Sequence, residues 1–268
     1  LDHYGTHDEF DAAFVAFADR ASELVVISSD DPGAVRVTRS LSHPKIMTFG
    51  EDAAADVRVH DIVTDGPVAF ELTYKSVSYP ARLLVPGKHN ALNAAGAFAV
   101  LVGLGFEPAD ALAGIEKFAG TERRFELHGV VRGVSVYDDY AHHPTEIAAT
   151  IAAGRTLGPD RLVAVFQPHL FSRTQHLAGA FGRALAGADV VCLVDVYPAR
   201  ERAEDFPGVS GLTVAEAVAD AAQGREVLWL ATFDAAERVL GARLRAGDLC
   251  LVLGAGDVRV LGERLAAG

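Results

Sequence analysis

The sequence has few cysteines, and it lacks the long apolar runs that would indicate a membrane protein. Its two cysteines, Cys192 and Cys250, each lie within an apolar, strand-like stretch. Two such residues cannot build a disulfide framework, so we expect both to be buried free thiols of a cytoplasmic protein. No apolar run approaches the roughly 18 to 20 residues that a membrane-spanning helix needs. These absences exclude a disulfide-rich secreted scaffold and a membrane-spanning protein.

Positive charge is also scarce. The 268 residues include 24 Lys and Arg against 36 Asp and Glu, which gives a formal net charge of -12. No block of Lys or Arg stands out, so we expect neither a nucleic-acid partner nor an anionic membrane partner. Half of the residues are hydrophobic. That content supplies a core for one large domain or for two domains of ordinary size.

The N-terminal part of the sequence predicts strands followed by two helices. Apolar and polar residues alternate from Val57 to Val85, which is typical of an antiparallel meander. Small residues from His89 to Leu104 predict a long helix, and Pro108 begins a second one. The Gly120-Thr121 pair is the candidate domain boundary.

After this boundary, apolar strands alternate with amphipathic helices. That alternation predicts an α/β domain with a mainly parallel, doubly wound sheet. In such sheets, ligands bind beyond the carboxyl ends of the strands. The predicted strands are Val134 to Tyr137, Leu162 to Phe166, Val190 to Val194, Val227 to Leu230 and Leu249 to Leu253.

Three consecutive strand ends carry dense polar clusters. These are Asp138 to Pro144 (DDYAHHP), Gln167 to Thr174 (QPHLFSRT) and Asp195 to Glu201 (DVYPARE). Histidine and arginine at one sheet edge favour a phosphate or carboxylate ligand. Alternatively, the aspartates cap a turn and the remaining side chains are solvated. The adjacent His142 and His143 point in different directions, so we predict no metal site.

Two further groups stand outside these clusters. Asn90 and Asn93 are the only asparagines in the chain, and they lie three residues apart on a predicted helix. Their carboxamides offer both donors and acceptors to the edge of a base, or Asn90 serves as an N-cap. The segment from Glu122 to Phe125 (ERRF) is either a charged linker or part of a binding site.

Taken in order, these segments resemble signatures of the Mur ligases of peptidoglycan synthesis. The resemblance covers essentially the whole chain, and it is most specific at the last two segments, which are similar to the alanine-adding branch. The matching segments are GKHNALNA from Gly87 to Ala94, GTERRFELHG from Gly120 to Gly129, DDYAHHPTE from Asp138 to Glu146, and FQPHLFSRT from Phe166 to Thr174.

The resemblance implies an α/β fold with two domains. Residues 1–120 would be the end of a mixed-sheet, P-loop-type central domain, and residues 121–268 a Rossmann-like doubly wound C-terminal domain. The start, Leu1 to Gly5 (LDHYG), resembles the stretch after the family's magnesium-binding histidine. We therefore expect a fragment whose UDP-binding domain, phosphate loop and magnesium ligands lie upstream, and whose activity alone is impaired.

The resemblance also implies a reaction. It is the ATP-dependent, Mg²⁺-assisted ligation of L-alanine to the carboxylate of UDP-N-acetylmuramate through an acyl phosphate. Leu170 stands where some relatives carry Arg, which removes one cation from the predicted pocket. The implied roles are adenine binding by His89, Asn90 and Asn93; ribose binding by Asp139; phosphate binding and catalysis by Arg124; an amino-acid pocket of Tyr140, His142, His169 and Arg173, whose Arg173 pairs with the carboxylate; and orientation or deprotonation of the amine by His142.

Other functions stay open at this point. A sibling ligase that adds a preformed tripeptide shares the His-His-Pro element, although it differs at the second motif, and a folate-polyglutamate relative is more distant. A non-catalytic nucleotide- or amino-acid-binding module is a third possibility.

Overall fold

The structure is a computed structural model that describes residues 4–222 and 224–268. The chain divides into two compact units, Leu1–Ala119 (unit 1) and Gly120–Gly268 (unit 2). The first three residues of the LDHYG stretch lie outside the described residues. Within the described part, none of the helices has the length and apolar character needed to cross a bilayer.

Unit 1 contains a five-stranded sheet of mixed direction. The strand order is β1-β2-β3-β4-β5; the first two pairings are parallel, and the last two are antiparallel. The antiparallel strands are the predicted meander. The elements in chain order are α1 (His7–Ala18), β1 (Val25–Ser28), α2 (Pro32–Ser40), β2 (Ile46–Gly50), β3 (Val57–Val63), β4 (Ala69–Tyr74), β5 (Val77–Arg82), α3 (Lys88–Gly103) and α4 (Pro108–Ile115).

Small residues let α3 lie close to this sheet. A Cβ at Gly103 would come within 2.4 Å of the Leu24 side chain, and one at Gly96 within 3.1 Å of the Phe49 ring. Phe98 is the one phenylalanine of α3, and it is fully buried. Its ring contacts Tyr74 edge-on and Tyr79 in a tilted arrangement. The alanine-rich sequence of α3 therefore permits close packing, and Phe98 fills the core.

Unit 2 contains a six-stranded sheet in the order β10-β9-β8-β11-β7-β6. All neighbours are parallel except β6 and β7, which form an antiparallel hairpin. The elements are β6 (Glu126–Val131), β7 (Val134–Asp139), α5 (Pro144–Arg155), β8 (Arg161–Phe166), α6 (Phe171–Leu185), β9 (Val190–Leu193), a 3₁₀ turn (Ala203–Asp205), α7 (Gly211–Ala221), β10 (Glu226–Trp229), α8 (Phe233–Arg243), β11 (Asp248–Leu253) and α9 (Arg259–Ala267).

Strand β6 was absent from the sequence-based prediction, which began the second domain's strands at Val134. Its hairpin register is interrupted between Leu127 and Gly129, so one residue on β6 has no opposite partner. This bulge breaks the regular alternation by which a strand is recognised. Strand pairing across the turn, and not local pattern, defines β6.

Helices cover both faces of the sheet in unit 2. One core packs against α5, α6 and α7, and the other against α8 and α9. Cys192 and Cys250 lie in the second core as buried free thiols, as predicted. Burial raises the pKa of the Cys192 thiol to about 12. The predicted α/β class with a doubly wound sheet is confirmed.

Candidate functional site at the carboxyl edge of the parallel sheet

The loops after β8 and β9 are joined to one another at the carboxyl edge of the sheet. His169 and Tyr197 form an isolated parallel bridge between the two loops. The Leu170 amide donates to the Tyr197 carbonyl at 3.0 Å, and the Tyr197 amide donates to the Pro168 carbonyl at 2.8 Å. Backbone pairing therefore continues beyond the strands, and it fixes the segment in which His169 lies.

His142 is held by hydrogen bonds that determine which ring nitrogen carries the hydrogen. Its Nδ1 lies 2.9 Å from the Tyr140 carbonyl, which can only accept. In the neutral ring, Nδ1 therefore carries the hydrogen, and Nε2 keeps a lone pair. The Glu146 carboxylate accepts from the His142 and His143 amides, and it completes the capping box that begins α5.

His169 lies between aromatic and charged neighbours. Its ring stacks on Tyr197 at a centroid distance of 5.7 Å, and it meets His142 nearly edge-on at 6.0 Å. Its buried Nδ1 atom has no hydrogen-bond partner among the described residues. Burial lowers the pKa of His169, and the charges of Arg173 and His142 lower it further. These effects favour the neutral form of the His169 imidazole, which lies beside the first turn of α6.

Tyr140 joins the histidine pair to the arginine segment. Its ring meets His142 edge-on at 5.3 Å. The guanidinium groups of Arg123 and Arg124 lie 4.7 and 5.7 Å from the Tyr140 ring centroid. The side chain of Arg124 is exposed, and that of Arg123 is partly buried. Of the two, Arg124 is the one open to a ligand.

Asp139 is buried and holds the arginine segment in place. One of its carboxylate oxygens accepts from the Phe125 amide at 2.9 Å, and the other accepts from the Ala141 amide at 2.8 Å. Arg123 and Phe125 both have positive φ, at 57° and 50°, which is costly for residues other than glycine. The Asp139 contacts therefore stabilise a strained turn that presents Arg124. Its predicted ribose contact stays a prediction.

Arg173 and Leu170 lie at the beginning of α6. Arg173 is in the first turn, is partly buried, and acts electrostatically on His169. Leu170 is the N-cap residue; it is buried and has a φ of 68°. Because Leu170 is buried, it contributes an apolar contact at the beginning of α6.

The predicted adenine-binding residues belong to unit 1, at the beginning of α3. The Asn90 Nδ2 donates to the Pro86 carbonyl at 2.7 Å, and the Asn93 Nδ2 lies 3.4 Å from the Asn90 Oδ1. Asn93 is exposed, whereas His89 and Asn90 are partly buried. The N-cap residue of α3 is Gly87, so Asn90 is not the N-cap.

Two family descriptions match the chain. One, the Mur ligase middle domain, matches residues 1–101, and the other, the Mur ligase glutamate ligase domain, matches residues 123–256. The second match alone covers half of the sequence. The chain belongs to the Mur ligase family. A UDP-N-acetylmuramate–L-alanine ligase of Clavibacter sepedonicus is 57% identical over 260 residues, which are 96% of this chain and 53% of that protein. The chain thus spans about half the length of that relative.

Solved Mur ligase structures share the fold. MurC of Thermotoga maritima, a UDP-N-acetylmuramate–alanine ligase, matches with a TM-score of 0.77 at 24% identity over 98% of this chain and 55% of that one. MurF of Thermotoga maritima in complex with ADP matches with a TM-score of 0.70 at 18% identity over 97% and 56%. At these identities the likeness concerns the fold alone.

Three residues that contact the candidate site were not among the predicted site residues. Tyr197 stacks on His169, Glu146 anchors His142, and Arg123 contacts Tyr140. The third polar strand end, DVYPARE, was the available signal for Tyr197. The spacing from His143 to Glu146 is that of a capping box, which was the signal for Glu146.

The family resemblance places the magnesium ligands upstream of this chain, and that placement stays a prediction. Within residues 4–222 and 224–268, one group of three candidate ligands lies together, namely Glu126, His128 and Asp138. Mg²⁺ prefers oxygen ligands and retained water, and this group includes an imidazole. No step below therefore involves the ion.

Proposed function

We propose that this chain is part of an ATP-dependent ligase that joins L-alanine to UDP-N-acetylmuramate in the cytoplasm. The observation that carries the proposal is the arrangement of His142, His169 and Arg173 at the carboxyl edge of the unit 2 sheet. An imidazole pair beside a guanidinium suits a small molecule with one amine and one carboxylate. The relatives' activity supports the same substrates.

The reaction needs an activated carboxylate, because a free carboxylate repels nucleophiles and has no good leaving group. Attack of the UDP-N-acetylmuramate carboxylate on the γ-phosphorus of ATP forms an acyl phosphate and releases ADP. The amine of L-alanine then attacks the acyl carbon and gives a tetrahedral intermediate. Its collapse breaks the bond to phosphate and leaves an amide, so one ATP becomes ADP and phosphate.

His142 is proposed as the group that removes the amine's proton. An amine attacks only after it loses a proton, and an imidazole takes up protons near neutral pH. The hydrogen bond from Nδ1 to the Tyr140 carbonyl leaves the lone pair on Nε2 for that task. Arg173 is proposed to pair with the alanine carboxylate, and Tyr140 and His169 to line the pocket.

Nucleotide-binding roles are proposed for residues of each unit by itself. In unit 1, His89, Asn90 and Asn93 would contact adenine through ring and carboxamide groups. In unit 2, Arg124 would screen phosphate charge, and Asp139 would contact ribose, besides holding the Arg124 turn. Ligation by MurF, whose structure contains ADP, supports a nucleotide in this fold.

A chimera provides the test, because the chain spans about half of its relative. In it, this chain replaces the matching segment of the Clavibacter sepedonicus ligase. The chimera is assayed with UDP-N-acetylmuramate, Mg-ATP and either L-alanine or a tripeptide, and products are identified by mass. We expect an alanine adduct with one ADP per product. A tripeptide adduct alone would assign the chain to the recycling branch, and no adduct would favour a binding module.

Substitutions in the chimera then test the individual roles. We expect R173A to raise the KM for L-alanine by roughly 10- to 150-fold, since a lost charged hydrogen bond costs about 1.5–3 kcal/mol, with little effect on the KM for ATP. Arg183, exposed on the same helix, is the matched control. H142A should lower kcat by about 10²–10⁴. Equal changes in both KM values for R173A would count against the pocket.

A further inference from the structure

A second cluster of ionisable side chains lies on the antiparallel hairpin of β6 and β7, among residues to which the proposed function assigns no role. Glu126 and Asp138 are directly paired across the two strands, and His128 lies two residues beyond Glu126 on β6. One potential ligand atom from each residue lies within 4.8 Å of the other two. The hairpin thus brings together three potential metal ligands.

Two atoms of this cluster are buried and lack hydrogen-bond partners. They are the Asp138 Oδ1 and the His128 Nε2, each without a partner among the described residues. The Asp138 side chain is fully buried. Buried polar atoms are normally hydrogen-bonded, because leaving one unpaired costs free energy. Each of these two atoms can therefore donate an electron pair to the same bound cation.

We propose that Glu126, His128 and Asp138 form a binding site for a divalent transition metal ion such as Zn²⁺. Imidazole nitrogen and carboxylate oxygen are both ligands of such ions, and three protein ligands leave a fourth position for water. Ligand distances of about 2.0–2.2 Å require donor atoms about 3.4 Å apart in a tetrahedral site. Glu126 and His128 are only partly buried, so small side-chain rotations close the difference.

Two arginines contact the carboxylates of this cluster. Arg123 donates to the Asp138 Oδ2 at 3.3 Å, and its amide donates to the Glu126 Oε2 at 2.8 Å. Arg259 lies 3.8 Å from the Glu126 Oε1. Such contacts orient ligating carboxylates, as the outer partners of metal ligands do. Their positive charge also weakens the binding of any cation at these residues.

The site would connect the strand pair to the arginine segment. Asp138 precedes Asp139, and Arg123 precedes Arg124. A bound ion would add bonds between β6 and β7 close to the turn that presents Arg124, which precedes β6. The ion site itself is independent of the proposed ligase activity, which assigns no role to Glu126, His128 or Asp138.

Cobalt provides the test, because Co²⁺ replaces Zn²⁺ and absorbs visible light when protein ligands bind it. The 268-residue chain is titrated with Co²⁺ and then with Zn²⁺. We expect one Co²⁺ per chain, with a visible absorption band that one equivalent of Zn²⁺ abolishes. The H128A variant should lose the band, and E126Q should bind Co²⁺ at least about tenfold more weakly.

Two control variants test three other histidines of unit 2. H176A changes an exposed histidine on α6, and the double variant H142A/H169A removes the histidine pair of the candidate active site. Both should retain the band. Loss of the band in the double variant, or its persistence in H128A, would overturn the proposal, and so would absence of a band from the unsubstituted chain. If H128A does not fold, unchanged Co²⁺ affinity in E126Q overturns it.

Replacement of Arg259 distinguishes a cation site from a purely structural cluster, because only a cation site would change its Co²⁺ affinity. Replacing Arg259 with glutamine removes a positive charge beside Glu126 and keeps a polar side chain. We expect R259Q to bind Co²⁺ severalfold more tightly than the unsubstituted chain, because like charges repel. Unchanged or weaker binding by a folded R259Q contradicts a cation site at these residues.

Discussion

The candidate site residues of the two units are held in different ways. In unit 2, Asp139 is buried and accepts hydrogen bonds from two backbone amides, and the His142 ring is oriented by a hydrogen bond to the Tyr140 carbonyl. In unit 1, Asn93 is exposed, and its recorded hydrogen bond is a long one to Asn90 at the same helix start. The unit 2 site residues therefore also stabilise the fold of their unit, whereas the Asn93 side chain contributes little to the stability of unit 1.

The difference follows from where each site lies in its unit. A strand end in a doubly wound sheet carries loops that must satisfy their own buried backbone groups, and side chains such as Asp139 do this. A helix start such as that of α3 has amides that water or a ligand can reach. At a strand-end site, a substitution that changes function therefore also changes folding stability. At a helix-start site, function can change while stability stays nearly the same.

The largest expected effect tests whether the two units respond independently. Phe98 and Phe166 are fully buried in the cores of unit 1 and unit 2. Each change to alanine should lower the unfolding free energy of its own unit by about 3–5 kcal/mol. Trp229 is the only tryptophan and lies in β10, so its fluorescence reports on unit 2. In urea, F166A should lower the midpoint of the fluorescence transition, which reports on unit 2. F98A should lower only the midpoint of the circular dichroism transition that belongs to unit 1. Equal shifts for both variants would contradict independence.

The next effect compares the two sites directly. D139A leaves the Phe125 and Ala141 amides without their acceptor, and it should destabilise unit 2 by about 2–3 kcal/mol. N93A removes an exposed side chain, and it should change stability by less than about 0.5 kcal/mol. Denaturant unfolding followed by circular dichroism measures both variants. A D139A variant as stable as N93A would remove the distinction between the sites.

Two helix glycines in unit 2 should respond to alanine with opposite signs. A Cβ at Gly182 on α6 would lie 2.3 Å from the Ala217 carbonyl of α7, whereas one at Gly241 on α8 meets nothing within 4 Å. We expect G182A to destabilise unit 2 by about 1–3 kcal/mol. G241A should stabilise it by about 0.5–1 kcal/mol, because alanine favours helix. Trp229 fluorescence in urea measures both. Stabilisation by G182A would mean that α6 and α7 separate readily.

The smallest effect concerns pH. The pKa of His169 is lowered in the folded state by burial and by the Arg173 and His142 charges. Below its unfolded value of about 6.5, the unfolded chain therefore binds more protons, so folding stability falls as pH drops through that range. H169Q should lose stability less than the unsubstituted chain between pH 7 and pH 5, measured by urea unfolding at each pH. H176Q is the matched control and should lose as much stability as the unsubstituted chain. If H169Q also loses as much, the lowered pKa of His169 is contradicted.

Local sequence patterns predicted most of the fold, and the family resemblance supplied the candidate site residues, whose roles stay predictions. The alternation from Val57 to Val85 predicted the meander, and the apolar runs after Val134 predicted the parallel strands that the structure contains. His142, His169 and Tyr140 were predicted to share a site, and their rings lie within 5.3 to 6.0 Å of one another in sequence order. The pattern could not predict β6, because a bulge interrupts its alternation.

The sequence by itself determined the class of fold and the chemistry available at the strand ends. Periodicity, turn residues and side-chain type are local properties, so they can be read one segment at a time. The tertiary structure decided which side chains serve the backbone and which are left for a ligand. Asp139 and Asp138 are adjacent aspartates, yet one accepts two amides, and the other keeps an unpaired oxygen beside His128. That difference depends on strands and turns that meet only when the chain folds, because hydrogen-bond partners are set by distance in space.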